Sequence, residues 1–324
     1  MRLEDLDLVI ETLKISQIGQ VRLLGGEPML HPRVHEFVKR LLEEDITKIS
    51  ILTNGLGRTE DYERIMGFEG IRWCVNVNDP TTYAPDEWDL FNDNLGVLSW
   101  KGERDRVLGH GVYEEQGLFQ LQLAIVFYEP DQDYRYVIDL AKKYGSPIIS
   151  FDISHPSSSK TNVHVELEDM TEHKNTILDF VNDCVQEGIR PSLGCVLPPC
   201  VFTPREMAYI MLFVMGAKFS CVPSLDIMPN LDVEYCSSMR GSLTSYNLRK
   251  VGKGMTLQHV FKRLANEVEK VQKHPAPYCE GCYRFEHNIC QGYCLRLKSD
   301  LLGEEPETKM KKLSFLDGVL KRRK

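Results

Sequence analysis

The sequence predicts an α/β fold: parallel strands joined by crossover helices and curled into a partial barrel, followed by a small cysteine-rich domain. Three observations carry this. Stretches of strand and helix character alternate five times between Val21 and Gln186, the pattern of βα units rather than of hairpins. Three of the strands have one apolar and one polar face. Ile71, Trp73, Val75 and Val77 oppose Cys74, Asn76 and Asn78. Leu121, Leu123, Ile125 and Phe127 oppose Gln122, Ala124, Val126 and Tyr128, and Ile149, Phe151 and Ile153 oppose Ser150, Asp152 and Ser154. A flat sheet between two helix layers would be apolar on both faces. A curved sheet with helices outside and ligand or water inside would not. An open antiparallel sheet with one wet face shows the same alternation, but the helices between the strands argue against it. Finally, beyond Gly188 helical periodicity gives way to prolines and cysteines.

The elements follow in order. Leu6, Val9, Ile10 and Leu13 share one face of a helix over Leu3–Leu13. Val21–Leu24 is the first strand. After Pro32, the stripe Val34, Phe37, Val38, Leu41 and Leu42 marks a second helix. Ile49–Leu52 is a strand, Tyr62–Met66 a short helix and Ile71–Val77 the next strand. Asp79–Gly117 reads as a short helix and an elaborated loop. Leu118–Phe127 is a strand, Tyr134–Tyr144 a helix closed by Gly145, Ile148–Ile153 a strand, and Met170–Gln186 a helix ended by Gly188. Thr203-Pro-Arg-Glu206 has the form of a capping box with proline at the first helical position, opening a helix to about Val214. Cys221 and Cys236 bracket a hairpin turning at Pro229–Asn230, and a helix over Leu257–Val271 precedes the last cysteines.

A chain of 324 residues can bury a large core beside a smaller domain. Its 42% apolar and 27% charged residues are ordinary for a globular protein. A net charge of −8 leaves no basic excess to neutralise phosphates, which argues against nucleic-acid binding. No apolar run approaches the roughly 20 residues that cross a bilayer, and the longest, Met207–Val214, reads as a buried helix. The N-terminus is charged with no apolar stretch behind it, so a cytoplasmic location is expected. Ten cysteines in that setting point to thiolate ligation rather than to a disulfide framework.

The chemistry begins at Val21-Arg-Leu-Leu-Gly-Gly-Glu-Pro28, followed by Met29-Leu-His-Pro32. Paired glycines turn the backbone sharply and leave its amides and carbonyls open to a ligand. Glu27 adds a charge there and Pro28 stiffens the exit. Alone, this is an ordinary strand-to-helix turn. Taken with Leu52-Thr-Asn-Gly55 after the next strand and the cysteine-rich last third, Gly25-Gly-Glu-Pro28 resembles the radical S-adenosylmethionine (SAM) enzymes. More narrowly, the set resembles the branch with a SPASM or twitch extension holding auxiliary iron–sulfur clusters.

The resemblance implies a partial (β/α)6 TIM-like barrel in which Val21–Leu24 is the second strand. It assigns Gly25, Gly26, Glu27 and Pro28 to the methionyl amino group of S-adenosylmethionine. Asn76, Asn78 and Ser154 occupy inward positions near the carboxyl rim, where the family places ribose and carboxylate contacts; each is equally readable as a satisfied polar residue without a ligand. Asp152 and His155 would face substrate, although a lone histidine after a strand more often packs a loop. In the family a cluster passes an electron to SAM, and the resulting 5′-deoxyadenosyl radical takes a hydrogen from substrate. The family also has a strand before the Leu3–Leu13 helix, with a C-x3-C-x2-C loop behind it. Here the first cysteine is Cys74, and that spacing occurs nowhere. The expectation is therefore a barrel missing its first strand, from a late start or a split gene rather than from gradual decay, and inactive as written. Val21–Leu24 would then form an unprotected apolar edge.

Two short-spaced pairs, Cys279/Cys282 and Cys290/Cys294, and a long-spaced pair, Cys221/Cys236, form a metal signal. Gly281 and Gly292 help those loops fold round an ion. Cys184, on the apolar face of its helix, and Cys74 read as structural thiols. Spacing alone does not separate a four-thiolate zinc site from iron–sulfur. The resemblance favours iron–sulfur, because a bracketed hairpin, C-x2-C, a gap and C-x3-C is the SPASM order. The gap here is seven residues, longer than usual, and no cysteine follows Cys294. One auxiliary [4Fe-4S] cluster is implied, drawing on Cys221 and Cys236. Cys200 or Cys195 would complete it, or Cys279 and Cys282 as in twitch domains; a second cluster would need a non-cysteine ligand.

The resulting division is 1–190 for the partial barrel, 191–300 for the SPASM/twitch domain and 301–324 for a basic tail read as a solvated end. The resemblance implies hydrogen abstraction from a peptide or protein substrate, with a flavodoxin or ferredoxin as reductant. The alternatives are a non-catalytic iron–sulfur protein for electron transfer or partner recognition, and a zinc-stabilised binding module.

Overall fold

A computed structural model describes residues 1–99, 121–158, 161–221, 224–250 and 255–302. Six strands, β1 Gln20–Leu23, β2 Lys48–Thr53, β3 Ile71–Asn76, β4 Leu121–Phe127, β5 Ile148–Ile153 and β6 Arg190–Leu193, pair in parallel in chain order. Between them run α1 Leu3–Ile15 (before β1), α2 Val34–Glu43, α3 Thr59–Met66, α4 Pro85–Leu98, α5 Arg135–Tyr144 and α6 Met170–Gln186. Strands added successively in one direction through right-handed crossovers put every helix on the same face. The sheet is therefore buried on one side only.

That side is the apolar one expected from the alternation. Ile49, Ile51, Trp73, Val75, Leu123, Ile125, Phe127, Ile149 and Phe151 are at most 1% exposed. Phe127, Phe151, Phe180 and Tyr134 meet edge-on, with centroids 5.3–6.3 Å apart. The opposite face, with Ser50, Cys74, Asn76, Gln122, Ser150 and Asp152, is only partly covered. The α/β partial barrel is thus the observed architecture.

Two elements differ from the expected ones. β6 has no apolar periodicity to announce it: Arg190-Pro-Ser-Leu193 carries a proline that cannot donate to a ladder. It forms because β5 offers an open edge, and Met215 braces its far side through Leu193 N→Met215 O at 2.8 Å and Met215 N→Pro191 O at 2.9 Å. The sheet consequently runs beyond residue 190. α4, in the segment expected to hold a short helix, has 14 residues and is anchored by buried Phe91, Leu95 and Leu98. The rest of the expected loop from residue 100, the start of the expected Leu118–Phe127 strand, residues 222 and 223 of the hairpin and the basic tail from 303 lie outside the described residues.

Among the described residues β1 pairs on one side only, with β2. Its exposed positions are Gln20 and Arg22, so this edge presents polar and charged side chains, with Leu24 just beyond it 46% exposed.

The second part holds α7 Pro204–Phe213, an antiparallel sheet of β7 Leu225–Ile227, β8 Asp232–Tyr235 and β9 Tyr246–Asn247, then α8 Leu257–Lys273, α9 Tyr283–Glu286 and α10 Leu295–Leu302. The capping box forms: Thr203 Oγ1 accepts from Glu206 N at 3.3 Å, and Glu206 Oε2 accepts from Thr203 N at 2.7 Å. No described helix is long and apolar enough to cross a membrane.

This part docks on α1. Buried Ser16 accepts Leu257 N on Oγ at 2.8 Å, and Asp5 pairs with Arg249 as well as with Arg2. The two guanidinium groups hold the Asp5 carboxyl at about 2, below its ordinary 3.8. A depressed carboxylate pKa stabilises the folded state above the unfolded value, and that stability is lost as pH falls towards the folded one. Asp5→Asn is therefore expected to lower the urea midpoint at neutral pH. The gap from wild type should close between pH 3.8 and about 2; a gap that persists there would refute the linkage.

Candidate functional site

In a parallel half-barrel the loops after the strands open at one end, so the residues following β1, β2, β3, β5 and β6 share a rim. On the uncovered face the register forms rungs: Arg22–Ser50–Arg72, Leu52–Cys74–Gln122, Asn76–Ala124–Ser150–Ser192 and Val126–Asp152. Asn76 Nδ2 donates to Asn78 Oδ1 at 3.0 Å, and Asn78 N to Tyr83 Oη at 3.1 Å. Ser154 is differently placed: its hydroxyl donates to Val163 O at 2.5 Å and braces a loop.

The glycine turn follows β1. Gly25 and Gly26 have φ of +93° and +52°, conformations that side-chain-bearing residues rarely adopt. A Cβ on either would meet nothing within 4 Å, so space stands open beside the turn. The Glu27 carboxylate is occupied internally. It accepts Met29 N at 3.0 Å and Thr53 Oγ1 at 2.7 Å on one oxygen, and Asn54 N at 2.6 Å on the other. Because Thr53 donates to Glu27, it accepts from buried Tyr62 Oη at 2.9 Å. Burial pushes the Tyr62 hydroxyl up to about 12. Glu27 thus locks the glycine turn to the end of β2.

The next loop is held from α4. Buried Asn94 donates to Gly55 O at 2.8 Å and to Gly57 O at 2.9 Å, and accepts Thr59 Oγ1 at 2.8 Å. Gly55 has φ +77°, and a Cβ there would lie 2.6 Å from the Phe91 ring. Tyr62 and Asn94 were invisible as site residues in the sequence, because they act through partners up to 39 positions away, whereas Thr53 lies in the Leu52–Gly55 motif.

All ten cysteines are free thiols. Eight fall into two groups by their electrostatic neighbours. Burial pushes the Cys221 thiol up to about 12, with like-charge pressure from Cys294 and Cys236. Cys195 is raised by burial and then by Asp152, Cys221, Cys294 and Cys236. Burial also pushes Cys279 up to about 12, and its thiol neighbours are Cys290, Cys200 and Cys282. Cys200 is raised by burial and by Cys290 and Cys282. One group is Cys195, Cys221, Cys236 and Cys294; the other is Cys200, Cys279, Cys282 and Cys290. Cys200 therefore sits apart from Cys221 and Cys236, and the sequential pair Cys290/Cys294 is divided.

Local geometry explains the division. Arg284 Nη1 donates to Pro199 O, tying the Cys200 turn to α9. Gly292, at φ +77°, reverses the chain between Cys290 and Cys294, and a Cβ there would lie 3.4 Å from Cys279 Sγ. Lys298, 1% exposed, donates to Gln272 O and Gln291 O at 2.7 Å beside this group. Burial lowers its ammonium to about 8, opposed by Cys279 and Cys290. A cavity of about 660 Å³, with Gln272, Gly281 and Phe285 in its wall, reaches Cys279 and Cys290. Cys184 is fully buried, and Cys74 stands on the uncovered face of β3.

The fold is shared with solved structures, two of which hold S-adenosylmethionine. The histidine-tagged protein anSMEcpe with bound AdoMet matches 91% of this chain and 81% of its own, with a TM-score of 0.60 and 16% identity. Streptococcus suis SuiB bound to S-adenosylmethionine matches 93% of this chain and 67% of its own, at TM-score 0.57 and 16% identity. A second structure of SuiB gives TM-score 0.59 at 14% identity over 93% and 68%. At these identities what is shared is the fold. No protein-family model and no curated protein matches the sequence.

Proposed function

We propose that this chain is an S-adenosylmethionine-binding iron–sulfur protein of the radical SAM type, with a SPASM-like domain that carries two clusters. The observation that carries the reading is the separation of eight thiols into two groups of four behind a barrel whose glycine turn stands open. Four thiolates on one zinc ion, each at about 2.3 Å, would place their sulfurs under about 4 Å apart. Among the described residues no three thiols lie within 4.8 Å of one another. That wider spacing fits a multinuclear cluster better than a single ion.

Gly25 and Gly26 would offer backbone groups to the methionyl end of S-adenosylmethionine, with Glu27 positioning the turn through its three internal bonds. Asn76 and Asn78, one rung inside the rim, would meet its sugar or carboxylate. Bound there, S-adenosylmethionine supplies hydrogen-abstraction chemistry once it receives an electron. The sequence resemblance makes a peptide or protein the substrate and a flavodoxin or ferredoxin the reductant. The C-x3-C-x2-C ligands for reductive cleavage are not among the 324 residues, which favours a second reading: this chain on its own binds S-adenosylmethionine without cleaving it, as a cluster-bearing binding protein.

Anaerobic reconstitution followed by calorimetry with S-adenosylmethionine tests both readings. Saturable binding that Gly26→Val abolishes is expected, with no 5′-deoxyadenosine after dithionite. No binding would sink the first reading; 5′-deoxyadenosine formed by this chain alone would sink the second.

A further inference from the structure

At the carboxyl end of β5 three donors of different chemistry converge. Asp152, His155 and Cys195 each place a ligand atom within 4.8 Å of the other two. Gly194 lets them meet, since a Cβ there would lie 2.2 Å from Asp152 Oδ2. Asp152 Oδ1 accepts Cys195 N at 2.6 Å, which fixes the carboxylate by one oxygen and leaves the other for a ligand.

His155 is the unexplained member. Both ring nitrogens are buried, and neither has a hydrogen-bond partner among the described residues. A neutral imidazole always presents one donor and one acceptor, and leaving such a group unsatisfied in the interior is destabilising. The ring packs against Tyr293, with centroids 5.2 Å apart, but the Tyr293 hydroxyl turns away to Met170 Sδ at 3.6 Å. A buried polar group left isolated among the described residues is open to a bound ion or water as its partner.

We propose that Asp152, His155 and Cys195 bind one divalent transition-metal ion. A mixed oxygen, nitrogen and sulfur donor set suits zinc, cobalt or ferrous iron rather than magnesium or calcium. Three protein ligands leave a fourth position for water or substrate, as in catalytic zinc sites. Donors bound at about 2.0–2.3 Å stand about 3.5 Å apart, a separation within the 4.8 Å that bounds these three atoms. Cys195 also neighbours Cys221, Cys236 and Cys294, and a thiolate sulfur has lone pairs enough to bridge two metals. The ion is additional to the proposed clusters and is counted separately from their iron.

The test uses the full chain, reconstituted anaerobically with iron and sulfide, equilibrated with Co2+, dialysed and analysed for both metals. Wild type is expected to retain one Co2+ per chain more than His155→Ala and Asp152→Asn, with equal iron in all three and weaker cobalt absorption in the variants. Asp152→Asn keeps the size of the side chain and its bond to Cys195 N, so it guards against a folding defect in His155→Ala. Equal cobalt in all three proteins overturns the proposal. So does a wild type that keeps no cobalt, and so does loss of iron together with cobalt in both variants, which would make these donors cluster ligands. Should wild type fail to load iron, the iron–sulfur reading falls while the cobalt difference still reports on this site.

Discussion

Cys200→Ala is expected to remove about four iron ions per chain from the reconstituted protein, and Cys236→Ala a different set of about four. The double variant should then hold almost none. The reason is geometric: Cys200 shares its surroundings with Cys282 and Cys290, and Cys236 with Cys221 and Cys294. Independent sites give additive losses, whereas members of one site do not. Iron and acid-labile sulfide analysis of the two single variants and the double variant decides it. If the double variant loses no more than either single one, all these thiols serve one cluster and the division is wrong. If the losses add, a second cluster needs no non-cysteine ligand: Cys200, far upstream of Cys279, would take the place of the cysteine that does not follow Cys294.

Glu27→Ala is expected to weaken S-adenosylmethionine binding at least a hundredfold and to destabilise the chain by about 3 kcal/mol. Its carboxylate satisfies Met29 N, Thr53 Oγ1 and Asn54 N, and removing it strands three donors at the junction of β1 and β2. Glu27→Gln separates positioning from charge. Its amide oxygen can still accept from Met29 and Thr53, but its NH2 would face the Asn54 N–H, so one bond is lost and an intermediate effect follows. Calorimetry and urea melts on both variants give the comparison. A Glu27→Ala protein of wild-type stability would refute the bracing role, and a Glu27→Gln protein as damaged as Glu27→Ala would show that the charge, not the bonding pattern, matters.

Much of this architecture was legible in the chain itself. Period-two alternation along Ile71–Val77, Leu121–Phe127 and Ile148–Ile153 separated a buried face from a wet one, because side chains on a strand point alternately to opposite sides. Gly145, Gly188 and the Thr203 box marked helix ends through backbone conformations and caps that are local by nature. The glycine turn was visible for the same reason. β6 was not, since Arg190-Pro-Ser-Leu193 has no strand pattern of its own and forms only against β5 and Met215. α4 was underestimated because its apolar residues are scattered among Asn92, Asn94 and Gly96, poor helix formers, and its role in holding Gly55 through Asn94 depends on a contact across 39 positions.

The sequence by itself determined the class of the molecule: alternating strands and helices, a one-sided sheet, an open turn and a surplus of thiols are written in local periodicity and composition. Only the tertiary structure decided which thiols are neighbours, that Glu27 braces the glycine turn against β2, and that the buried His155 ring beside Asp152 and Cys195 has no partner among the described residues. Spacing along a chain limits how far apart two residues can be. It does not choose among distant partners, and here that choice falls to the packing of α9, the reversal at Gly292 and the close approach of Gly194 to β5.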